Sequence, residues 1–225
     1  MAVYGLDIGG TKIETAIFND NLEQQQSWRI TTPTDDYQQF LHAIYQQVIK
    51  ADELTGCQGA VGIGMPGIVN DEGKVLSANV PCATGKVIAN DLQALLKRPV
   101  AILNDTRCFA LSEANGGAGE GYSRVFGAIV GTGAAGGMCI DGTLFNQGLG
   151  MSGEYGHLPL SAYLQQKYQL PVLKCGCGLN GCVESYIAGP GVQTLYQHIT
   201  QSPKSAIEWA NDIKRGDEQA LKVLA

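Results

Sequence analysis

The pattern of a β-strand, a glycine-rich turn and a second strand occurs twice, near residues 3–18 and near residues 125–145. The first copy reads VYGLDIGG and then IETAIFND, and the second reads RVFGAIVGTGAAGG and then MCIDGTLF, with Asp-Gly as a turn. The glycine-rich run GGAGEG between them is typical of a boundary. We therefore predict two similar lobes, residues 1–120 and 121–225, that each present a glycine turn to one cleft.

The segments around these turns predict an α/β fold. QQSWRITTP continues the first two strands as an antiparallel meander, and apolar residues spaced by three and four predict a helix over Tyr37–Leu54. The motifs GAVGIGMPG and PVAILND are typical of strands. A short helix is expected over Asp91–Leu96, and RCFALSEAN predicts another helix.

Composition excludes several classes of protein. The 225 residues are 44% hydrophobic, which is ample for a core and argues against disorder. The net charge is −6 without any Lys/Arg run, which argues against a nucleic-acid partner. The N-terminus lacks the pattern of a signal peptide, and the most apolar window is glycine-broken and too short to span a bilayer. We expect a cytoplasmic protein without membrane contact. Seven cysteines do not suggest a disulfide framework.

The first glycine turn carries Asp7, Gly9, Gly10, Thr11 and Lys12. Successive backbone N–H groups in such a turn suit phosphate oxygens, and Asp7 is placed to orient a hydrated Mg²⁺ ion. The alternative is a β-hairpin turn with a surface lysine. The glycine spacing matches neither a Walker A loop nor a Rossmann fingerprint.

The second glycine turn repeats this logic with Gly131, Thr132 and Gly133, followed by Gly136 and Gly137. Glycine-rich turns are common, so this turn alone is weak support. Paired with the first turn, it is consistent with one nucleotide lying between them.

Asn104 and Asp105 end the predicted strand PVAILND. A carboxylate at the carboxyl end of a parallel strand lies where α/β sheets bind ligands and can act as a general base. The alternative role for Asp105 is to cap the helix that follows.

One histidine and three cysteines predict a metal site. The stretch CGCGLNGCVE holds Cys175, Cys177 and Cys182, and His157 precedes it within GEYGH. Four such ligands match tetrahedral Zn²⁺, and a full set of protein ligands favours a structural site. An inert cysteine cluster and a redox pair are the alternatives. The zinc loop would hold the carboxylates of Glu154 and Glu184 rigidly.

The chain resembles the ROK family of repressors, open reading frames and sugar kinases. The motifs in family order are DIGGTK, GIGMPG, SANVP, ND, GTG, GEYGH and CGCGLNGCVES, and they extend from residue 1 to about 225. The resemblance implies an actin-like (ribonuclease H-like) ATPase fold of two lobes, with sugar and ATP in the cleft. It also implies Mg²⁺, a homodimer, and phosphorylation of the 6-hydroxyl of an N-acetylhexosamine, N-acetyl-D-glucosamine above all.

The same resemblance implies roles for the motif residues. Gly9–Lys12 and Thr132-Gly133 contact the ATP phosphates, and Asp105 accepts the proton of the sugar hydroxyl. The residues implied to bind or adjoin the sugar are Gly67, Asn79, Asn104, Glu154, His157 and Glu184. The residues implied to bind zinc are His157, Cys175, Cys177 and Cys182.

Two departures from the family pattern are visible. Thr106-Arg107 stands where Ala-Asn is usual, and a guanidinium beside Asp105 would weaken it as a base, whereas an Arg107 that points away along the helix would have no such effect. Family kinases are also longer, so we expect a truncated C-terminal lobe with weakened ATP affinity.

Three rival functions follow from the same residues. A hexokinase acting on glucose, fructose or N-acetylmannosamine is one, although the small residues of NVPCATGK leave room for an acetamido group. A sugar-binding remnant without kinase activity is another. A ROK repressor is disfavoured, because GLDIGG begins at residue 5 and the charge is acidic.

Overall fold

The chain forms two compact units in the computed structural model, which describes residues 2–146 and 151–224. The first unit comprises Met1–Val125 and Met138–Ser152, and the second comprises Phe126–Gly137 and Gly153–Ala225. The strands are β1 (Val3–Ile8), β2 (Lys12–Phe18), β3 (Gln24–Thr31), β4 (Ala60–Met65), β5 (Ile68–Val69), β6 (Val75–Leu76), β7 (Val100–Asn104), β8 (Arg124–Val130), β9 (Ala134–Ile140) and β10 (Thr143–Leu144). The helices are α1 (Tyr37–Thr55), α2 (Ile88–Leu96), α3 (Asp105–Ala114), α4 (Ala162–Tyr168), α5 (Glu184–Ile187), α6 (Gly189–Thr200), α7 (Ala206–Lys214) and α8 (Glu218–Leu224).

A five-stranded sheet in the order β3-β2-β1-β4-β7 forms the centre of the first unit. Strands β1, β2 and β3 are antiparallel neighbours, so the predicted N-terminal meander is confirmed. Strands β1, β4 and β7 run parallel, with Asp7 opposite Gly64 and Met65 opposite Asn104. The carboxyl ends of these three strands therefore meet at one edge, where parallel sheets bind their ligands.

Helix α1 confirms the helix that the spacing of apolar residues predicts. Asp36 caps its first turn by accepting a hydrogen bond from the Gln39 N–H, and Gly56 ends it with a left-handed φ of 68°. Its buried face includes Phe40, Ile44 and other residues three or four positions apart, which join the core of the first unit. Burying such a side chain stabilises the fold by about 1.5–3 kcal/mol. This helix thereby covers the sheet that carries Asp7.

Two sequence-based boundaries differ from the structure. Helix α2 begins at Ile88, earlier than the expected Asp91. Strand β9 begins at Ala134, so the second glycine turn ends at Gly133, and Gly136 and Gly137 lie inside the strand. A Cβ on Gly136 would lie 2.5 Å from the Gly127 carbonyl oxygen, so close packing between backbones requires glycine there. The predicted Asp141-Gly142 turn is confirmed, since both residues have positive φ.

The second unit is built mainly from helices α4 to α8 and from the loops that carry the cysteines. Helix α7 begins with a capping box, in which Ser205 and Glu208 bond each other's backbone N–H groups. Among the described residues, no helix combines the length and the apolar character that crossing a bilayer requires.

Candidate active site

Asp105 opens helix α3 immediately after β7. The side chain of the preceding residue, Asn104, caps the helix: its Oδ1 accepts hydrogen bonds from the N–H groups of Thr106 (2.9 Å) and Arg107 (3.2 Å). Its Nδ2 donates to the Gly67 carbonyl at 2.9 Å, which ties the loop after β4 to this helix. Because Asn104 is the cap, Asp105 lies in the first turn instead, and its Oδ1 accepts a hydrogen bond from the Thr106 N–H at 2.9 Å.

The electrostatics of Asp105 suit a general base. Burial raises its pKa above the ordinary value of 3.8, and the hydrogen bond from the Thr106 N–H acts in the opposite direction. The pKa of Asp7 is raised as well, first by desolvation and then by the negative charges of Asp105 and Glu14. A base with a raised pKa is a stronger proton acceptor, and two neighbouring carboxylates are the ligand type that Mg²⁺ prefers.

Arg107 does not interact with Asp105 in the way that the sequence suggests. Its side chain is buried, and its Nη2 donates to the Asn146 carbonyl at 3.4 Å. Its guanidinium is absent from the groups that shift the pKa of Asp105. The expected weakening of the base by Arg107 is therefore not seen.

The first glycine turn closes the β1–β2 hairpin. Gly9 N–H donates to the Lys12 carbonyl at 2.8 Å, and Thr32 Oγ1 donates to the Gly9 carbonyl at 2.7 Å. A Cβ on Gly10 would lie 2.6 Å from the Asn79 carbonyl oxygen, so the turn packs directly against the segment that holds Asn79. The hairpin interpretation is confirmed, and it is compatible with a phosphate-binding role for the same turn.

Gly67 holds a position that only glycine fits easily. Its φ is 116°, and a Cβ there would lie 2.4 Å from the Leu76 carbonyl oxygen. Its own carbonyl accepts the Asn104 hydrogen bond. The first unit thus brings together, through direct contacts, the predicted residues Gly10 with Asn79 and Gly67 with Asn104.

The second glycine turn lies in the second unit and is held from two sides. Gly131 N–H donates to the Gly133 carbonyl at 2.8 Å, and Gly189 N–H donates to the Gly131 carbonyl at 2.8 Å. Ala134 N–H donates to Glu184 Oε2 at 2.9 Å. A cavity of about 300 Å³ lies beside Thr132. Its polar lining includes Lys174, Ser185 and Thr194, which the sequence analysis did not identify because no motif marks them.

His157, Cys175, Cys177 and Cys182 form a cluster in which all four ligand atoms lie within 4.8 Å of one another. The Cys177 and Cys182 sulfurs are 3.7 Å apart, and His157 Nδ1 lies 3.6 Å from Cys175 Sγ. With bonds of about 2.3 Å to sulfur and about 2.0 Å to nitrogen, a tetrahedral zinc ion separates two sulfurs by about 3.8 Å and sulfur from nitrogen by about 3.5 Å. The residues therefore fit a zinc ion in type, number and spacing.

The carboxylates of Glu154 and Glu184 lie beside this cluster, as the sequence predicts. Glu154 Oε2 lies 3.9 Å from His157 Nε2, while Nδ1 faces the cysteines. This distance exceeds a hydrogen bond, so the carboxylate lies beside the outer nitrogen of the ring without bonding it directly. Glu184 Oε1 lies 3.7 Å from Cys175 Sγ. Burial raises the pKa of the Cys182 thiol to about 12, whereas the Leu179 backbone N–H lowers the pKa of the exposed Cys177.

Comparison with known proteins identifies a family and several relatives that this chain resembles. The family model described as "ROK family" matches residues 3–225. An N-acetylgalactosamine kinase of Shewanella sp. strain ANA-3 is 50% identical over 219 residues, which are 97% of this chain and 71% of that protein. An N-acetyl-D-glucosamine kinase of Shigella flexneri is 44% identical over 220 residues, covering 96% and 73%. The crystal structure of a ROK hexokinase from Thermus thermophilus superposes with a TM-score of 0.84 at 30% identity, covering 99% and 72%.

The strand order and the superposition on the ROK hexokinase show that this is a mixed α/β protein with the actin-like ATPase fold. This fold class agrees with the one that the sequence predicts. Within that class, the chain belongs to the ROK family.

Proposed function

We propose that this protein is an ATP-dependent sugar kinase that transfers the γ-phosphoryl group of ATP to the 6-hydroxyl of an N-acetylhexosamine. The observation that carries the proposal is Asp105, a partly buried carboxylate with a raised pKa in the first turn of α3. Relatives that are 43–50% identical to nearly all of this chain are named N-acetylhexosamine kinases, which supports the sugar class.

Asp105 is the general base of the proposed reaction. It accepts the proton of the sugar hydroxyl as that oxygen forms a bond to the γ-phosphorus. The bond between the γ-phosphorus and the β–γ bridging oxygen breaks, and ADP leaves with that oxygen and the electron pair. Such phosphoryl transfer needs positioning and charge stabilisation more than covalent help from the protein. The family resemblance assigns the phosphates to the glycine turns Gly9–Lys12 and Gly131–Gly133. The N–H groups of Gly9 and Gly131 already donate to carbonyls within these turns, so the phosphate contacts are left to the other residues of each turn. The carboxylate of Asp7 would hold Mg²⁺, which neutralises phosphate charge when bound.

The hydroxyl groups of a sugar need paired polar groups once they leave water. On the basis of the family resemblance, we assign this role to Asn104 in the first unit, with Gly67 and Asn79 adjoining the sugar, and to Glu154, His157 and Glu184 in the second unit. Asn104 already uses its Oδ1 and one N–H of Nδ2 within the protein, so it has a single N–H left for a sugar oxygen. Zinc held by His157 and the three cysteines would keep Glu154 and Glu184 in place.

N-acetyl-D-glucosamine is the sugar that we propose first. The support in the sequence is the segment NVPCATGK, whose small side chains would leave room for an acetamido group. N-acetyl-D-galactosamine is a second candidate, because the relative that is 50% identical is named for that sugar. The two sugars differ only in the orientation of the 4-hydroxyl, so one pocket is expected to distinguish them modestly unless that hydroxyl is hydrogen-bonded.

A panel of sugars tests this assignment. ATP turnover is measured by a coupled ADP assay with N-acetylglucosamine, N-acetylgalactosamine, N-acetylmannosamine, glucose and fructose, and ³¹P NMR locates the phosphate on the product. We expect the highest kcat/KM with N-acetylglucosamine or N-acetylgalactosamine and a 6-phosphate product. A clear preference for fructose, glucose or N-acetylmannosamine would favour the rival hexokinase function. Sugar binding by calorimetry without ATP binding or turnover would identify a sugar-binding remnant.

We also propose that the protein is a homodimer, which follows from the family resemblance alone. Light scattering coupled to gel filtration measures the mass in solution. A mass near twice that of the 23.8 kDa chain is expected, and a monomer at micromolar concentration would contradict it.

A further inference from the structure

Glu184 contacts two functional segments of the second unit at once. It opens α5, two residues after Cys182, and its side chain is half-buried. One carboxylate oxygen, Oε2, accepts the Ala134 N–H at 2.9 Å, directly after the turn Gly131–Gly133. The other, Oε1, lies 3.7 Å from Cys175 Sγ in the metal cluster. The carboxylate therefore bridges the cysteine loop and the glycine turn.

Gly133 packs directly against the same carboxylate. A Cβ on Gly133 would lie 2.6 Å from Glu184 Oε2, so a side chain at this position would displace the carboxylate from its place beside the turn. Its φ lies outside the left-handed region, so the backbone itself does not require glycine. The missing side chain thus makes room for the carboxylate.

The Gly131–Gly133 turn has few other supports. Its described hydrogen bonds are the internal bond from Gly131 to Gly133, the bond from the Gly189 N–H, and the bond from Ala134 to Glu184. Gly189 follows Glu184 by five residues, so both outside supports come from the segment that the cysteine loop anchors. Loss of the Glu184 carboxylate would therefore leave the Gly189 N–H as the single outside hydrogen-bond partner among those described for this turn.

We propose that Glu184 is a positioning residue for the nucleotide: its carboxylate fixes the Gly131–Gly133 turn in the geometry that phosphates require. The inference rests on the proposed kinase function, because it takes this turn as a phosphate site. It adds a second role to the sugar contact assigned to Glu184. The role needs a hydrogen-bond acceptor but no charge, so glutamine can replace it.

Calorimetric titration with MgADP, in the absence of sugar, tests the proposal on zinc-loaded full-length protein. We expect Glu184→Ala to weaken MgADP binding at least fivefold and Glu184→Gln to stay within about twofold of the wild type. Glu218→Ala removes the same charge from an exposed position at the start of α8 and serves as the matched control. Unchanged MgADP affinity in Glu184→Ala, or equal losses in the Ala and Gln variants, would overturn the positioning role.

A double-mutant cycle keeps the test decisive if Glu184→Ala weakens the fold or loses zinc. We expect Gly133→Ala to weaken MgADP binding strongly in the wild type but much less in the Glu184→Ala background, where the clashing oxygen is gone. Additive effects of the two substitutions would refute the link. Failure of the wild type to bind MgADP at all would instead contradict the proposed function.

Discussion

Replacing Gly10 with alanine tests whether the first glycine turn and the Asn79 segment form one unit of structure. The new Cβ would lie 2.6 Å from the Asn79 carbonyl oxygen, whereas ordinary contact begins at 3.4 Å. The turn and the segment must therefore separate by about 0.8 Å. Overpacking of this kind costs about 1–3 kcal/mol, which corresponds to a fall of about 2–12 °C in the unfolding midpoint for a protein of this size. Displacing Asn79 should also raise the KM for the sugar.

Circular dichroism at increasing temperature measures the midpoint, and the coupled ADP assay measures KM. Gly62→Ala is the matched control, because a Cβ at that position in β4 has no neighbour within 4 Å and the backbone is not left-handed. We expect this control to be at least as stable as the wild type, since alanine lowers the entropy of the unfolded chain. A Gly10→Ala protein with wild-type midpoint and wild-type KM would refute the packing argument.

Three further predictions concern the metal and the base. Purified wild-type protein should contain about one zinc ion per chain, as measured by mass spectrometry. The Cys175→Ser variant should lose this zinc. The control Cys57→Ser, which changes an exposed cysteine outside the cluster, should retain it. Occupancy below about half in the wild type would argue against a structural site. The value of kcat/KM should fall at low pH with an apparent pKa above 3.8. Burial raises the pKa of Asp105, and the base is protonated and lost as the pH falls through that raised value. The Arg107→Asn variant should show the same apparent pKa for kcat/KM as the wild type, because the guanidinium donates its hydrogen bond to the Asn146 carbonyl instead. A changed apparent pKa would show that Arg107 acts on Asp105.

Local patterns predicted those parts of the molecule that local physics determines. The spacing of Phe40, Leu41, Ile44 and Val48 identifies α1, because a helix of 3.6 residues per turn places them on one face. Cys175, Cys177 and Cys182 are close in sequence, so their glycine-rich loop brings the thiols together with little dependence on the rest of the fold.

The features that the sequence did not predict depend on distant partners. Gly136 resembles a turn residue in sequence, but it lies in β9 because the Gly127 backbone approaches it. The contact of Glu184 with Ala134 joins residues fifty positions apart, and no local pattern encodes it. The direction of Arg107 likewise depends on the Asn146 carbonyl after β10. The sequence allowed Asp105 to be the cap of α3, but the hydrogen bonds of Asn104 show that the preceding residue is the cap.

Single-turnover phosphoryl transfer by Asp105→Asn tests the central claim most directly, since asparagine keeps the shape of the side chain but cannot accept the proton. The variant should fold as stably as the wild type at pH 7, because it removes a desolvated charge. The account predicts that the transfer rate falls about 10²- to 10⁴-fold, while calorimetric affinities for N-acetylhexosamine and MgADP stay close to those of the wild type. A transfer rate within tenfold of the wild type would contradict the assignment of Asp105 as the base.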